Sequence, residues 1–230
     1  MLFYRGDGET RCLILYIMKP RLVLFDLDGT LVQTLAETYK LDCEIIRELS
    51  GKTPSLIDYR KNPYRGDWQK FYDAFGVSDF RSALSRFYER LPVDSVKAVP
   101  RAELVLKTIK KKGLPTGIVS INKDVDIIMR KLVSAGLDSY FALPQIYIAS
   151  DSKLDALKNA CERQGIAEGD RKTAWFVGDT TNDIKDGKAA GLTTFAVGNS
   201  YSFNLRGDLE DSKPAFLLED ILALAAFLRL

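Results

Sequence analysis

The chain has 230 residues, 46% of them hydrophobic, and a formal net charge of +2 from 33 basic and 31 acidic residues. That is enough for one sizeable core and a small second domain; the interspersed charges form neither the basic stripe of a nucleic-acid binder nor an acidic tail, and no apolar run is long enough to span a bilayer. Histidine is absent, which excludes Ser-His-Asp and Cys-His nucleophile systems and histidine zinc sites and leaves acid–base work to Asp, Glu, Lys, Tyr or Cys.

Residues 1–17 read as an upstream extension. Gly6-Asp7-Gly8-Glu9 is turn-like, and the apolar patch from Cys12 to Ile17 lacks the small-residue cleavage site of a signal peptide. Cys12, Cys43 and Cys161 are scattered and odd in number, which fits buried thiols in a reducing cytosol and predicts a cytoplasmic protein. Leu22-Val23-Leu24-Phe25 then reads as a central parallel strand covered on both faces. From Leu31 to Gly51 the apolar spacing is helical. Residues 53–66 read as loop or short helix, and 68–75 and 79–91 as two more helices. With no βαβ unit between Gln33 and Val96, residues 33–96 form an all-helical insertion.

Beyond Pro100 strands and helices alternate. Helices are expected over 101–112, 123–135, 153–163 and 183–190, each closed by a glycine, and strands over 115–120, 145–149, 173–177 and 194–197. A last amphipathic helix is expected over 218–230. The alternation predicts a doubly wound parallel α/β sheet, built from 18–32 and 97–230.

Chemistry is expected beyond the carboxyl ends of such strands. Asp26 and Asp28 follow the first strand directly, and two acids so close need a cation, a shared proton or divided roles. Four strand-end signals recur in order: Asp26-Leu27-Asp28-Gly29-Thr30, then Ser120, then Lys153, then Gly178-Asp179-Thr180-Thr181-Asn182-Asp183. This set resembles the haloacid dehalogenase-like (HAD) hydrolase superfamily, phosphatase branch, over residues 19–217. The resemblance implies a Rossmann-like core with a helical cap after the first strand, in the layout of phosphoglycolate phosphatase-like members. It further implies Mg²⁺-dependent hydrolysis of a small phosphomonoester through an aspartyl-phosphate on Asp26. Asp28 would act as acid toward the leaving alcohol and then as base for water. Asp26, the Asp28 main-chain carbonyl and Asp179 are the implied metal ligands, with Asp183 in support.

The chemistry of the residues agrees. Like charges at about 4 Å repel by roughly 4 kcal/mol at an intermediate dielectric, so four acids near one site call for a cation, and all-oxygen donors with a phosphate substrate suit Mg²⁺. Gly29 permits a sharp turn close to phosphate, with Thr30 beside it. Ser120 can donate to a phosphoryl oxygen or cap the next helix, Lys153 can neutralise phosphoryl charge, and Asp183 also suits a first helical turn. Two departures stand out: Ile121 precedes Asn122 where the family often has Asn directly, and Leu154 follows Lys153 where many members have Pro. The basic and aromatic run 58–65 is read as a solvated loop, with recognition of a second anion as the sharper alternative. A phosphosugar mutase and a non-catalytic binding protein of the same fold are the competing functions. A dehalogenase has no need of Asp28 or of Mg²⁺.

Overall fold

The structure is a computed structural model and describes residues 19–61, 67–150 and 152–228; the expected extension over 1–17 lies outside them. Strand β1 (Leu22–Phe25) is buried along its whole length. Side chains alternate across a strand, so Val23 and Phe25 enter one apolar cluster and Leu22 and Leu24 another.

The chain then leaves the sheet through β2 (Val32–Gln33) and returns through β3 (Lys97–Ala98), which pairs with it antiparallel. The helix expected from Leu31 therefore starts four residues later. Leu31 and Val32 are wholly buried in the sheet core, the Leu31 carbonyl accepts the Val99 N–H at 2.8 Å, and tertiary pairing overrides the helical spacing. Four helices follow: α1 (Leu35–Ser50), α2 (Leu56–Arg60), α3 (Trp68–Ala74) and α4 (Phe80–Arg90). Gly51 ends α1 at φ 74°, its N–H on the Arg47 carbonyl, the left-handed cap that glycine adopts readily. The helices share a cluster of Leu41, Ile45, Ile46, Tyr59, Phe71 and Tyr72, with Tyr59 edge-on to Phe71 at 5.6 Å between centroids.

The remaining elements are α5 (Ala102–Lys111), β4 (Thr116–Ser120), α6 (Val125–Ser134), β5 (Ile146–Ile148), α7 (Leu154–Arg163), β6 (Ala174–Gly178), α8 (Thr181–Ala189), β7 (Thr193–Val197), α9 (Arg206–Asp211), β8 (Phe216–Leu218) and α10 (Leu224–Phe227). The sheet is parallel throughout, in the order β5-β4-β1-β6-β7-β8. Helices α5, α6 and α10 cover one face; α7, α8 and α9 cover the other. The long terminal helix expected over 218–230 is replaced by the edge strand β8, a 3-10 turn at Ile221–Ala223 and short α10. Phe216 stacks on Phe195 at 4.9 Å, and Asp220 caps the turn by accepting the Ala223 N–H. The helical period survives only in Ile221, Leu224, Ala225 and Leu228, all buried. Cys43 and Cys161 are buried free thiols, as expected. Among the described residues, no helix is long and apolar enough to cross a membrane.

Candidate active site

The order of strand addition reverses around β1: β4 and then β5 are laid down on one side, β6 and its successors on the other. Ligands gather at such a switch point. Register explains which residues meet there. Phe25 is level with Ile118 of β4 and with Val177 of β6, so Asp26, Ser120 and Asp179 emerge at one edge of the sheet.

One carboxylate oxygen from each of Asp26, Asp179 and Asp183 lies within 4.8 Å of the others, and all three residues are buried. Lys153 joins the group from the start of α7. Its Nζ donates to Asp26 Oδ1 and, at 2.6 Å, to Asp183 Oδ1. Leu154 in place of proline does not divert it, because Asp186 of α8 accepts the Lys153 amide at 2.7 Å and anchors the turn. Asp183 has a second task. Its Oδ2 accepts the Thr180 N–H and hydroxyl at 3.0 and 2.6 Å, closing a capping box on α8. Gly178 is required for this: a Cβ there would come within 2.6 Å of the Asp183 carboxyl carbon.

Electrostatics of the cluster follow from burial. Desolvation pushes the Asp26 carboxyl up to about 7, with Lys153 opposing the shift and Asp183 and Asp28 adding to it. Asp179 is held well above the usual carboxylate range, first by burial and then by the charges of Asp26 and Asp183, against the donors of Phe203 and Thr30. Burial alone would lower Lys153, but Asp183 and Asp26 outweigh it and hold the ammonium charged. Hard oxygen donors short of positive charge fit a divalent cation such as Mg²⁺.

Two sequence expectations, on Thr30 and Gly29, need correction. Thr30 does not face the cavity: it is wholly buried, and its hydroxyl is spent on Asp179 Oδ1 at 3.0 Å, because a buried carboxylate needs donors. Gly29 turns its N–H to the Val32 carbonyl at 2.8 Å rather than to a phosphate site. Its φ of +82°, and the 2.8 Å a Cβ would leave to the Asp179 carboxyl carbon and the Phe203 ring, make it a packing glycine behind Asp179. The Asp28 carboxylate stands outside the acidic cluster. It is bound through both oxygens by Lys131 Nζ, at 2.7 and 2.9 Å, so only its main chain is left as a metal donor. Ser120 lines the cavity, its Oγ accepting the Asn122 N–H at 3.1 Å.

Two contributors escaped sequence reading. Lys131 is buried on α6, and its signal was a lysine among the apolar positions of that helix. The loop after β7 brings the Phe203 N–H to Asp179 Oδ2 at 2.6 Å, a fifth strand-end loop with no chemical signature beyond Gly198. From the run 58–65, Arg60 turns toward the Asn199 and Asn204 carbonyls at 3.3 and 3.0 Å; residues 62–65 lie outside the described residues.

The family model described as haloacid dehalogenase-like hydrolase matches residues 23–197. A Clostridium perfringens protein that carries the name pyrophosphatase PpaX is 28% identical over 203 residues, 86% of this chain and 92% of that protein. Phosphoglycolate phosphatase of Escherichia coli K12 is 30% identical over 151 residues, 63% of this chain and 56% of that protein. Among solved structures, a haloacid dehalogenase-like hydrolase from Streptococcus pneumoniae superimposes with a TM-score of 0.74 at 19% identity, over 91% of this chain and 98% of that one. A likeness at that identity speaks for the fold.

Proposed function

We propose that this chain, which belongs to the haloacid dehalogenase-like hydrolase family, is an Mg²⁺-dependent phosphatase that hydrolyses a small phosphomonoester through an aspartyl-phosphate on Asp26. One observation carries the reading. The first acid of the Asp-x-Asp motif stands at the carboxyl end of the central strand, clasped by Lys153 beside Asp179 and Asp183. Relatives named as phosphatases support the same reaction class.

A divalent cation held by Asp26 and Asp179, with Asp183 in support, would keep the cluster ionised and draw charge from a bound phosphoryl group. Asp26 Oδ2, the oxygen not committed to Lys153, attacks phosphorus as a carboxylate. Lys153 remains beside it and balances charge gathering on the phosphoryl oxygens, while Ser120 donates its hydroxyl to one of them. Asp28 delivers a proton to the departing alcohol oxygen and then accepts one from the water that attacks the acyl phosphate. Lys131 grips both Asp28 oxygens and aims the carboxyl at the leaving group. Residues 33–96 act as a cap, closing over the strand ends to exclude water during transfer. The substrate is a phosphorylated metabolite, with no nucleic acid or membrane partner, in the cytoplasm.

The test is phosphate release from a generic aryl phosphate with Mg²⁺ and with chelator. Turnover should require metal, and Asp26→Asn should lower kcat by at least about 10³-fold. Wild-type-like turnover by that variant would remove Asp26 as nucleophile.

A further inference from the structure

Helix α4 carries Phe80, Leu84, Phe87 and Tyr88 at the spacing of one helical face, and Leu91, its C-cap, continues the stripe. Such a stripe ordinarily enters a core. Here Phe80, Phe87 and Leu91 do pack against the helical cluster, but Leu84 is 37% and Tyr88 47% exposed. The five side chains line the same cavity, of about 690 Å³, as Asp26, Asp28, Ser120 and Lys153. Ile121, inserted where the family pattern often has Asn, is 43% exposed in that lining too.

We propose that the leaving group of the substrate carries an aromatic body, seated on the α4 stripe against Ile121. The proposal rests on the phosphatase reading and names its substrate class. Volume is one argument: the cavity has the room of a drug-sized ligand site, far more than a two-carbon acid needs. Charge is the second. Lys131 and Lys153 are committed to Asp28, Asp26 and Asp183, and Lys123, the remaining described cation of the lining, is on the core side. The described cap residues add Asp42 and Asp67 to the lining and no cation, which disfavours a leaving group with its own carboxylate or phosphate. The aromatic faces of Phe87 and Tyr88, set edge to face at 5.7 Å, suit a flat apolar partner.

The experiment compares 2-phenylethyl phosphate with phosphoglycolate on the full chain with Mg²⁺. Both esters leave as primary alkoxides, so the ratio of kcat/KM reads recognition rather than leaving-group chemistry. The aromatic ester should be favoured by at least about ten-fold. Tyr88→Ala and Leu84→Ala, each at an exposed position, should lower that ratio about ten-fold, chiefly through KM. A preference for phosphoglycolate, or a ratio unmoved by both variants, overturns the proposal. Release of phosphate from neither ester nor from the generic aryl phosphate would instead remove the phosphatase reading. Binding of 2-phenylethyl phosphate, read as heat by titration calorimetry, then decides the pocket alone: binding weakened about ten-fold in Tyr88→Ala upholds the aromatic site, and no binding by the wild type refutes it.

Discussion

Asp28 and Lys131 meet across 103 positions of sequence, and the contact divides the roles of two acids that are neighbours in the chain. Asp26 faces Lys153 and the acidic cluster; Asp28 is drawn away to α6. Two near-identical carboxylates thereby obtain different partners, the usual route to different chemical tasks. Lys131→Met should leave substrate binding nearly intact but lower kcat by about 10–100-fold, because Asp28 loses the bidentate grip that aims it. Lys131→Arg should restore part of the rate. A change in KM alone, with kcat preserved, would mean that Lys131 binds substrate rather than positioning Asp28.

At the level of elements, residues 33–96 meet the rest of the described residues in at least three places, one of them Asp94 against Arg130 of α6. The ribbon of β2 and β3 carries both chain crossings, with Gln33 adding a 2.5 Å bond to the Ala98 carbonyl. On the far side, Arg60 of α2 donates to Asn199 and Asn204, and the Asn204 amide returns a bond to the Arg60 carbonyl at 2.9 Å. Asn204 also accepts the Thr181 N–H that opens α8, so this latch touches the element bearing Asp183. A short ribbon suits a hinge, and the latch would hold the closed form. Arg60→Ala should raise KM about ten-fold, matching the loss of one or two partly buried charge-assisted bonds. It should also speed proteolytic cleavage within 33–96. Asn204→Ala should do the same without adding to the first variant, because the two residues form one contact. Full additivity would show that the latch is not a unit.

Across the whole molecule, the acidic cluster couples stability to pH, and a metal held there would couple it to metal concentration as well. Asp26 titrates near 7 in the fold against a reference value of 3.8. Between those values the folded protein binds more protons than the unfolded chain, so this group's contribution to stability is full below about pH 4 and is lost as pH rises through about 7. Asp179 shifts the same way. A bound cation reverses the demand by favouring the ionised acids. The rise in Tm on adding millimolar Mg²⁺ should therefore be larger at about pH 8 than at about pH 5.5, by roughly 5 °C. Equal gains at the two pH values would mean that these acids do not hold the metal.

The chemical inventory was legible in the chain itself. An apolar run ending in Asp26 and Asp28, a second ending in Ser120, a third ending in Gly178-Asp179, and Lys153 at a helix start state which groups will stand at strand ends, because strand periodicity and glycine stops are local properties. The alternation of strands and helices stated the sheet for the same reason. Tertiary structure alone decided how the groups are shared out. Thr30 serves Asp179 and not phosphate, Lys131 holds Asp28, Phe203 supplies an amide from a loop without a motif, and the α4 stripe leaves Leu84 and Tyr88 open to the cavity while its other members join the helical cluster. Each outcome depends on partners far away in the chain, whose register only the assembled sheet and cap can set.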